Sequence, residues 1–321
     1  MAGREAEAGT AAEQDPQPRF DWLVLDDGTR LRTAFWPAGA AAGAPRGTVL
    51  LLHGRSEFVE KYAETAGALR ARGFQVASFD WRNQGLSDRP LANRQIHHLT
   101  SFDTLVDDLD AVVERVVRPV AAGPLVLMGH SMGGLVATLG LARHPGRYAA
   151  AVLSAPMYDF ATGPFPRWAA VRLAEALCAR GRAEAYAFGQ GDYRPEDGRF
   201  TPANPLTSDP HRFAVHHEAF RTRPDLRLGG VSFGWVRAAL RACDLALRAA
   251  PLERVATPVL LLSAPRDAVV RAAAHRTVAA RLANATLKEY PGARHEILME
   301  RDEIRARVWA DIDAFLAAVP V

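Results

Sequence analysis

Three observations in the sequence predict an α/β fold: a mostly parallel central sheet with helices on both faces and an inserted helical cap. Short apolar runs alternate with segments of helical periodicity over residues 48–153, and the pattern resumes over 259–316. Each crossover between parallel strands must pass over a face of the sheet, which puts helices on both sides. The third observation is the stretch 125–141, LVLMGHSMGGLVATLGL, where an apolar strand, a glycine-bounded serine and a helix start follow without a spacer. That is the G-x-S-x-G nucleophile elbow in the setting that gives the motif meaning.

Composition sets the outer bounds. A chain of 321 residues, 49% hydrophobic and 23% charged, can bury a sizeable core. Its formal net charge is +3, and no window is dense enough in Lys and Arg to bind nucleic acid. The surplus leaves only a weak attraction to anionic lipid, hence peripheral membrane contact as a secondary expectation. Cys178 and Cys243 are too few and too scattered for a disulfide framework or a metal site, and read as small buried hydrophobes. No charged leader precedes an apolar run, and no run approaches the about 20 residues of a spanning helix. A cytoplasmic protein, at most peripheral to the inner face of a membrane, is expected. The oligomeric state stays open.

Along the chain, residues 1–18 are rich in Ala, Gly, Glu and Gln and read as a disordered tail. Residues 20–25 and 31–36 read as a hairpin closed by Asp27-Gly28, and 37–46 as a loop. A buried strand at 48–52 leads into His53-Gly54-Arg55-Ser56-Glu57, and helical spacing at 59–72 stops at Gly73. A strand at 74–79, a helix at 102–117, the elbow strand and helix, and a strand at 149–153 follow. The alternation breaks at Met157. Residues 157–230 hold seven prolines and helical pieces at 168–177 and 213–220 but no buried-strand run, so they read as an insertion of irregular helices into a core of 19–156 and 231–321. A returning helix at 231–247, a strand at 259–262, a helix at 272–282, a strand at 285–290 and a final helix at 304–316 complete the pattern.

A serine hydroxyl becomes a nucleophile when a base takes its proton. With Ser131 on the elbow, an acid and then a histidine should follow at the ends of later strands. Asp267 stands just past the strand at 259–262, and His295 just past the one at 285–290. Both loops lie at the carboxyl edge of the sheet, where the elbow also sits. In this reading His295 is the base and then the acid, and Asp267 fixes its tautomer. Oxyanion donors are expected from the backbone N–H of Met132, directly after the serine, and of Arg55, after the strand at 48–52. The turn from Asp80 to Ser87 reads as structural, with Asn83 and Gly85 accepting unusual backbone angles. His97, His98, His216 and His217 lack ligand partners at metal spacing and read as solvated loop or cap histidines. His130 is expected to pack beneath the elbow.

With those residues in hand, the chain resembles the α/β-hydrolases and, more narrowly, is similar to the monoacylglycerol lipase and lysophospholipase L2 group. The resemblance rests on His53-Gly54-x-x-Glu57, Asp80-x-Arg82-x-x-Gly85-x-Ser87, Gly129-His130-Ser131-Met132-Gly133-Gly134, Ser154-Ala155-Pro156-Met157, Asp267-x-Val269-Val270 and His295-Glu296. It runs from about Phe20 to Phe315. Asn83 stands where the group usually has glycine. The resemblance implies a serine esterase acting on a lipid-like, single-chain glycerolipid ester, a lysophospholipid or a monoacylglycerol, through an acyl-enzyme on Ser131. It implies no metal or organic cofactor, and a cap over the acyl pocket. The Arg55 side chain, near the mouth, suits a lysophospholipid phosphate. A general carboxylesterase or small-substrate serine peptidase is the alternative, and a hydrolase-fold binding protein without turnover the third reading. An elbow serine speaks against dehalogenase or epoxide-hydrolase chemistry, which uses a carboxylate there.

Overall fold

The computed structural model describes residues 17–39 and 43–319. The expected N-terminal tail therefore lies, up to residue 16, outside the described residues. Eight strands form one sheet: β1 (Arg19–Val24), β2 (Arg30–Trp36), β3 (Gly47–Leu52), β4 (Phe74–Phe79), β5 (Leu125–His130), β6 (Ala150–Ser154), β7 (Val259–Ser263) and β8 (Ala285–Glu289). Their spatial order is β1-β2-β4-β3-β5-β6-β7-β8. The first two strands form the expected hairpin, with Gly28 at φ 82 in its turn, and β2 pairs antiparallel with β4. From β4 to β8 every pairing is parallel.

Helices α1 (Ala63–Ala71), α2 (Asp103–Val112), α3 (Met132–Arg143), α4 (Arg167–Ala179), α5 (Pro210–Thr222), α6 (Phe233–Asp244), α7 (Ala272–Arg281) and α8 (Asp302–Ala318) account for the helical periodicity. The expected helix at 59–72 opens as a tight 3-10 turn, Val59–Tyr62, and ends at Gly73, φ 86. Those expected at 102–117 and 231–247 each finish in a single wide turn, Val113–Val117 and Leu245–Ala249.

Side chains alternate across β3, β5, β6 and β7, and each face carries its own core. On one face Leu50, Leu52, Leu127, Leu153 and Leu261 meet α2, α3, α6 and α7. On the other Val49, Leu51, Val126, Val152 and Leu260 meet α1 and α8 through Leu69, Val308 and Ile312. All residues of β3, β6 and β7 are buried, as two-sided strands require.

Between β6 and β7 the chain adds α4, α5 and α6 and no strand. Isolated bridges (Phe160 to Val270, His97 to Val231, Tyr186 to Ser232) tie this stretch to itself and to the loops at the carboxyl edge. Helix α5 is started by Asp209, whose carboxylate accepts from the N–H groups of His211 and Arg212. Its Phe220 packs on Phe58 and Leu226, bringing it over the loop after β3.

Four single-residue expectations are corrected. His97 and His98 are buried at the junction of the 226–232 segment with the loop after β4, because the His97 backbone bridges Gly230 and Ser232 there and the His98 ring Nδ1 meets the Ser232 hydroxyl. His216 packs between Phe58 and Phe220 on the inner side of α5 and is half-buried, not a fully solvated cap histidine. Cys178, on α4, is only half-buried, whereas Cys243 is buried.

Candidate active site

Ser131 sits between β5 and α3 at φ 50, ψ −115, a region that side-chain-bearing residues avoid. The surrounding glycines let the turn be that tight. A Cβ on Gly133 would lie 2.5 Å from the carbonyl oxygen of Leu52 and 2.6 Å from that of His53. One on Gly129 would lie 2.9 Å from the Gly133 oxygen. The first turn of α3 is thereby pressed against the end of β3, and Ser131 is left at the carboxyl edge of the sheet.

The loops after β7 and β8 deliver the residues expected there. His295 Nε2 is 2.9 Å from Ser131 Oγ, and His295 Nδ1 is 2.7 Å from Asp267 Oδ2. The other oxygen of Asp267 accepts the N–H groups of Val269 (2.7 Å) and Val270 (3.0 Å). A carboxylate so surrounded holds the imidazole proton on Nδ1 and leaves the Nε2 lone pair for the serine hydroxyl. Burial pushes the Asp267 carboxyl up, but the bonds from His295 and the two N–H groups outweigh it and hold it below the usual range.

Beside β5, the loop from His53 to Ser56 has its own wiring. Gly54 N–H donates to Glu57 Oε2 at 2.5 Å, and Ser56 N–H to Gln84 Oε1 at 2.5 Å. Among the described residues the Arg55 N–H between them has no acceptor. Met132, as the first residue of α3, has no intrahelical acceptor for its N–H either. Both expected oxyanion donors are thus unspent.

Sequence reasoning gave no role to the charges behind this loop. Lys61 Nζ bonds Glu57 Oε1 and Glu296 Oε1, each at 2.6 Å, and Tyr62 OH donates to Glu57 Oε2 at 2.8 Å. All three charged groups are buried. Burial alone would raise the Glu57 carboxyl, but the Lys61 ammonium overrides it and holds Glu57 well below its ordinary value. Glu296 is raised by the same desolvation and by its charged neighbour Glu57. The one sequence signal was a lysine four residues after a glutamate at the start of a helix, with Phe58, Val59 and Tyr62 around it.

His130 is buried, with its ring centroid 4.8 Å from that of His295 and its Nδ1 against the Ser154 carbonyl. Burial pushes it down to about 4, so it is neutral at neutral pH. It takes no part in the Asp267–His295–Ser131 series, as expected. The Asp80–Ser87 turn is structural in most of its residues: Asp80 accepts from Arg32 Nε (2.8 Å) and from the N–H groups of Val59 and Leu86 (both 2.9 Å). Asn83 and Gly85 adopt φ 67 and φ 53. Gln84 is the exception, since it reaches Ser56.

Ser131 and His295 open into a cavity of about 1600 Å³. Its apolar walls come mainly from the stretch between β6 and β7, with Phe160, Leu173, Phe188 and Phe213 among them. The Arg55 guanidinium also lines it, and its one hydrogen bond runs to the Gly229 carbonyl at 3.0 Å. Among the described residues no group of three or more His, Cys, Asp and Glu side chains could hold a metal ion. No helix among them is long and apolar enough to cross a membrane.

Comparison with known proteins places this geometry. The family described as serine aminopeptidase, S33, matches residues 43–302. A probable lysophospholipase L2 of Haemophilus influenzae is 31% identical over 299 residues, 93% of this chain and 92% of its own length. Lysophospholipase L2 of Escherichia coli is 35% identical over 266 residues, 80% of this chain and 76% of its own. In structure, a soluble variant of the Saccharomyces cerevisiae monoglyceride lipase superposes with a TM-score of 0.71 at 21% identity. That alignment covers 95% of this chain and 97% of the lipase.

Proposed function

Because the chain belongs to the serine aminopeptidase S33 family of α/β-hydrolases, and so to the serine hydrolases, we propose that it cleaves the carboxylic ester of a single-chain glycerolipid. The observation that carries this reading is the continuous series Asp267–His295–Ser131, at 2.7 and 2.9 Å, at the floor of a large apolar cavity. His295 Nε2 takes the Ser131 proton as Oγ attacks the ester carbonyl carbon. The carbonyl electrons move onto oxygen, where the N–H groups of Arg55 and Met132 receive the charge. Collapse expels the glycerol oxygen, which leaves with the proton from His295, and an acyl-enzyme remains on Ser131. Water, deprotonated by His295, then releases the fatty acid by the same steps.

The segment 157–230 is in this reading a cap whose aromatic walls hold the acyl chain. Trp168 and Phe188, 72% and 65% exposed, suit it to contact with a lipid surface. The Arg55 guanidinium, which among the described residues forms no ion pair with a carboxylate, favours a head group carrying phosphate. A peptidase on free amino termini needs a carboxylate for the substrate ammonium. Of the carboxylates that line the cavity, Glu57 and Glu296 are held by Lys61, Asp192 accepts from Tyr186 and Asn93, and Asp197 accepts from the Arg194 N–H, which favours the ester.

The test is reaction with a fluorophosphonate, location of the adduct by mass spectrometry, and turnover of esters of increasing chain length. An adduct on Ser131, lost in His295→Ala, with turnover rising toward long acyl chains, is expected. Labelling elsewhere would overturn the mechanism, and a preference for short acyl chains or aminoacyl amides would overturn the substrate.

A further inference from the structure

The Arg55 N–H owes its freedom to its two neighbours. Gly54 and Ser56 each give their N–H to a buried side-chain acceptor, Glu57 Oε2 and Gln84 Oε1, both at 2.5 Å. These two bonds fix the peptide planes 53–54 and 55–56, on either side of the 54–55 peptide that carries the Arg55 N–H, and Ser56 is bent to φ 63 to make its own. Neither acceptor is free to drift. Glu57 is held by Lys61 and Tyr62, and Gln84 is fully buried with its amide 3.8 Å from the sulfur of Met132. Lys61 in turn bonds Glu296, the residue directly after His295.

We propose that Glu57 and Gln84 are positioning residues that aim the Arg55 N–H at the oxyanion, and that Lys61 and Glu296 register this donor loop against the histidine loop. The proposal rests on the acyl-transfer reading above. Without Glu57 the Gly54 N–H has no acceptor, and the loop is free to turn it toward another. Without Gln84 the same holds two residues later, for the Ser56 N–H. Either loss rotates the intervening peptide, and a donor misplaced by about 1 Å costs up to about 100-fold in rate. The wiring also explains why a carboxylate is buried so close to a site that develops negative charge. Lys61 neutralises it, and its lone pairs are spent on Gly54 and Tyr62, so it does not oppose the oxyanion.

The experiment compares Glu57→Ala, Glu57→Gln, Gln84→Ala and the Glu57→Ala/Gln84→Ala double variant with the unaltered protein. Steady-state kinetics on a monoacylglycerol run beside inhibition by a trifluoromethyl ketone, which forms the oxyanion, and a melting curve for each protein. Each alanine variant should lose about 10- to 100-fold in kcat with KM within about two-fold. Affinity for the ketone should fall in proportion to kcat/KM. Glu57→Gln, which keeps an acceptor for Gly54, should recover most of the loss. The double variant should lose less than the product of the single losses, because both residues act on one N–H.

Ketone affinity that stays constant while kcat falls would overturn the proposal, as would loss that follows the melting temperature and is not rescued by glutamine. Failure of the acyl-transfer reading itself is separately visible: the unaltered protein would then not bind the ketone or turn over the ester.

Discussion

Replacing Lys61 by methionine tests the buried charge cluster on which the donor loop rests. The substitution keeps most of the side chain's length and removes its charge, leaving Glu57 and Glu296 buried beside one another without a cation. Breaking a buried ion pair from one side costs about 3–5 kcal/mol, because the remaining charge is uncompensated. At about 2.1 cal/mol/K per residue, a chain of 321 residues has an unfolding entropy of about 0.7 kcal/mol/K. The melting temperature should therefore fall by about 4–7 °C near neutral pH. The sign of its pH dependence is fixed. In the variant, folding raises the pKa of the glutamate pair, so the penalty is absent while both are protonated in the folded and unfolded states. It grows as pH rises through the unfolded value of about 4.3 toward the raised folded one. In the unaltered protein Lys61 holds Glu57 below its ordinary value, and that stabilisation is present above the unfolded pKa and lost as pH falls through the folded one. The first effect makes the difference between the two proteins larger at pH 8 than at pH 5, whereas the second is already in place at pH 5 and fades only below the unfolded value. Calorimetric melting of the two proteins at pH 5, 6.5 and 8 measures it. A shift below about 1 °C, or one that is larger at pH 5, would refute the reasoning.

Four further outcomes follow from other contacts. Asp267→Asn presents an amide to His295 Nδ1, loses the tautomer that suits Ser131, and should lower kcat about 1,000- to 10,000-fold with little change in melting temperature. Gly85→Ala places a Cβ 2.1 Å from Asp80 Cγ at φ 53, and should destabilise by about 3 kcal/mol or more, read by urea unfolding. Arg55→Gln should cut kcat/KM on a lysophospholipid about ten-fold more than on the monoacylglycerol of the same chain, the worth of a charge-assisted hydrogen bond; equal losses on both would remove phosphate from the account of the head group. Trp168→Ala combined with Phe188→Ala should reduce co-sedimentation with anionic vesicles while sparing hydrolysis of a soluble ester, and unchanged sedimentation would argue against lipid contact through this surface.

The sheet and the serine–acid–histidine order were legible in the sequence because both are written locally. A strand buried on two faces needs an unbroken apolar run, as in β3 and β7, and the elbow needs its glycines within a few residues of Ser131. Asp267 could be found because it closely follows the apolar run of β7, and His295 because it stands on the loop between the last strand and the last helix, although β8 itself is largely exposed. His97 was misjudged for the converse reason. Its burial comes from backbone bridges to Gly230 and Ser232, more than a hundred residues on, and the isolated Ile96 and Leu99 around it make no periodic run that would announce a core. The wide turns that end the helices at 113–117 and 245–249 leave no mark in periodicity either.

What aims the site was illegible for the same physical reason. Lys61 and Glu296 are 235 residues apart in sequence, and Gln84 reaches Ser56 from a turn whose other residues are structural. A polar side chain's partner is set by tertiary packing, not by spacing, so the sequence shows only that a polar residue interrupts an apolar stretch. Each of these three is buried at 6% exposure or less. Burying an amide, an ammonium and a carboxylate costs free energy unless every one finds its partner. A fold that needed only the elbow and its triad could have filled these positions with Leu or Met at lower cost. That they are polar, and that their bonds converge on the peptide planes flanking one unspent N–H, ties their presence to the reaction at Ser131 more closely than to the stability of the sheet.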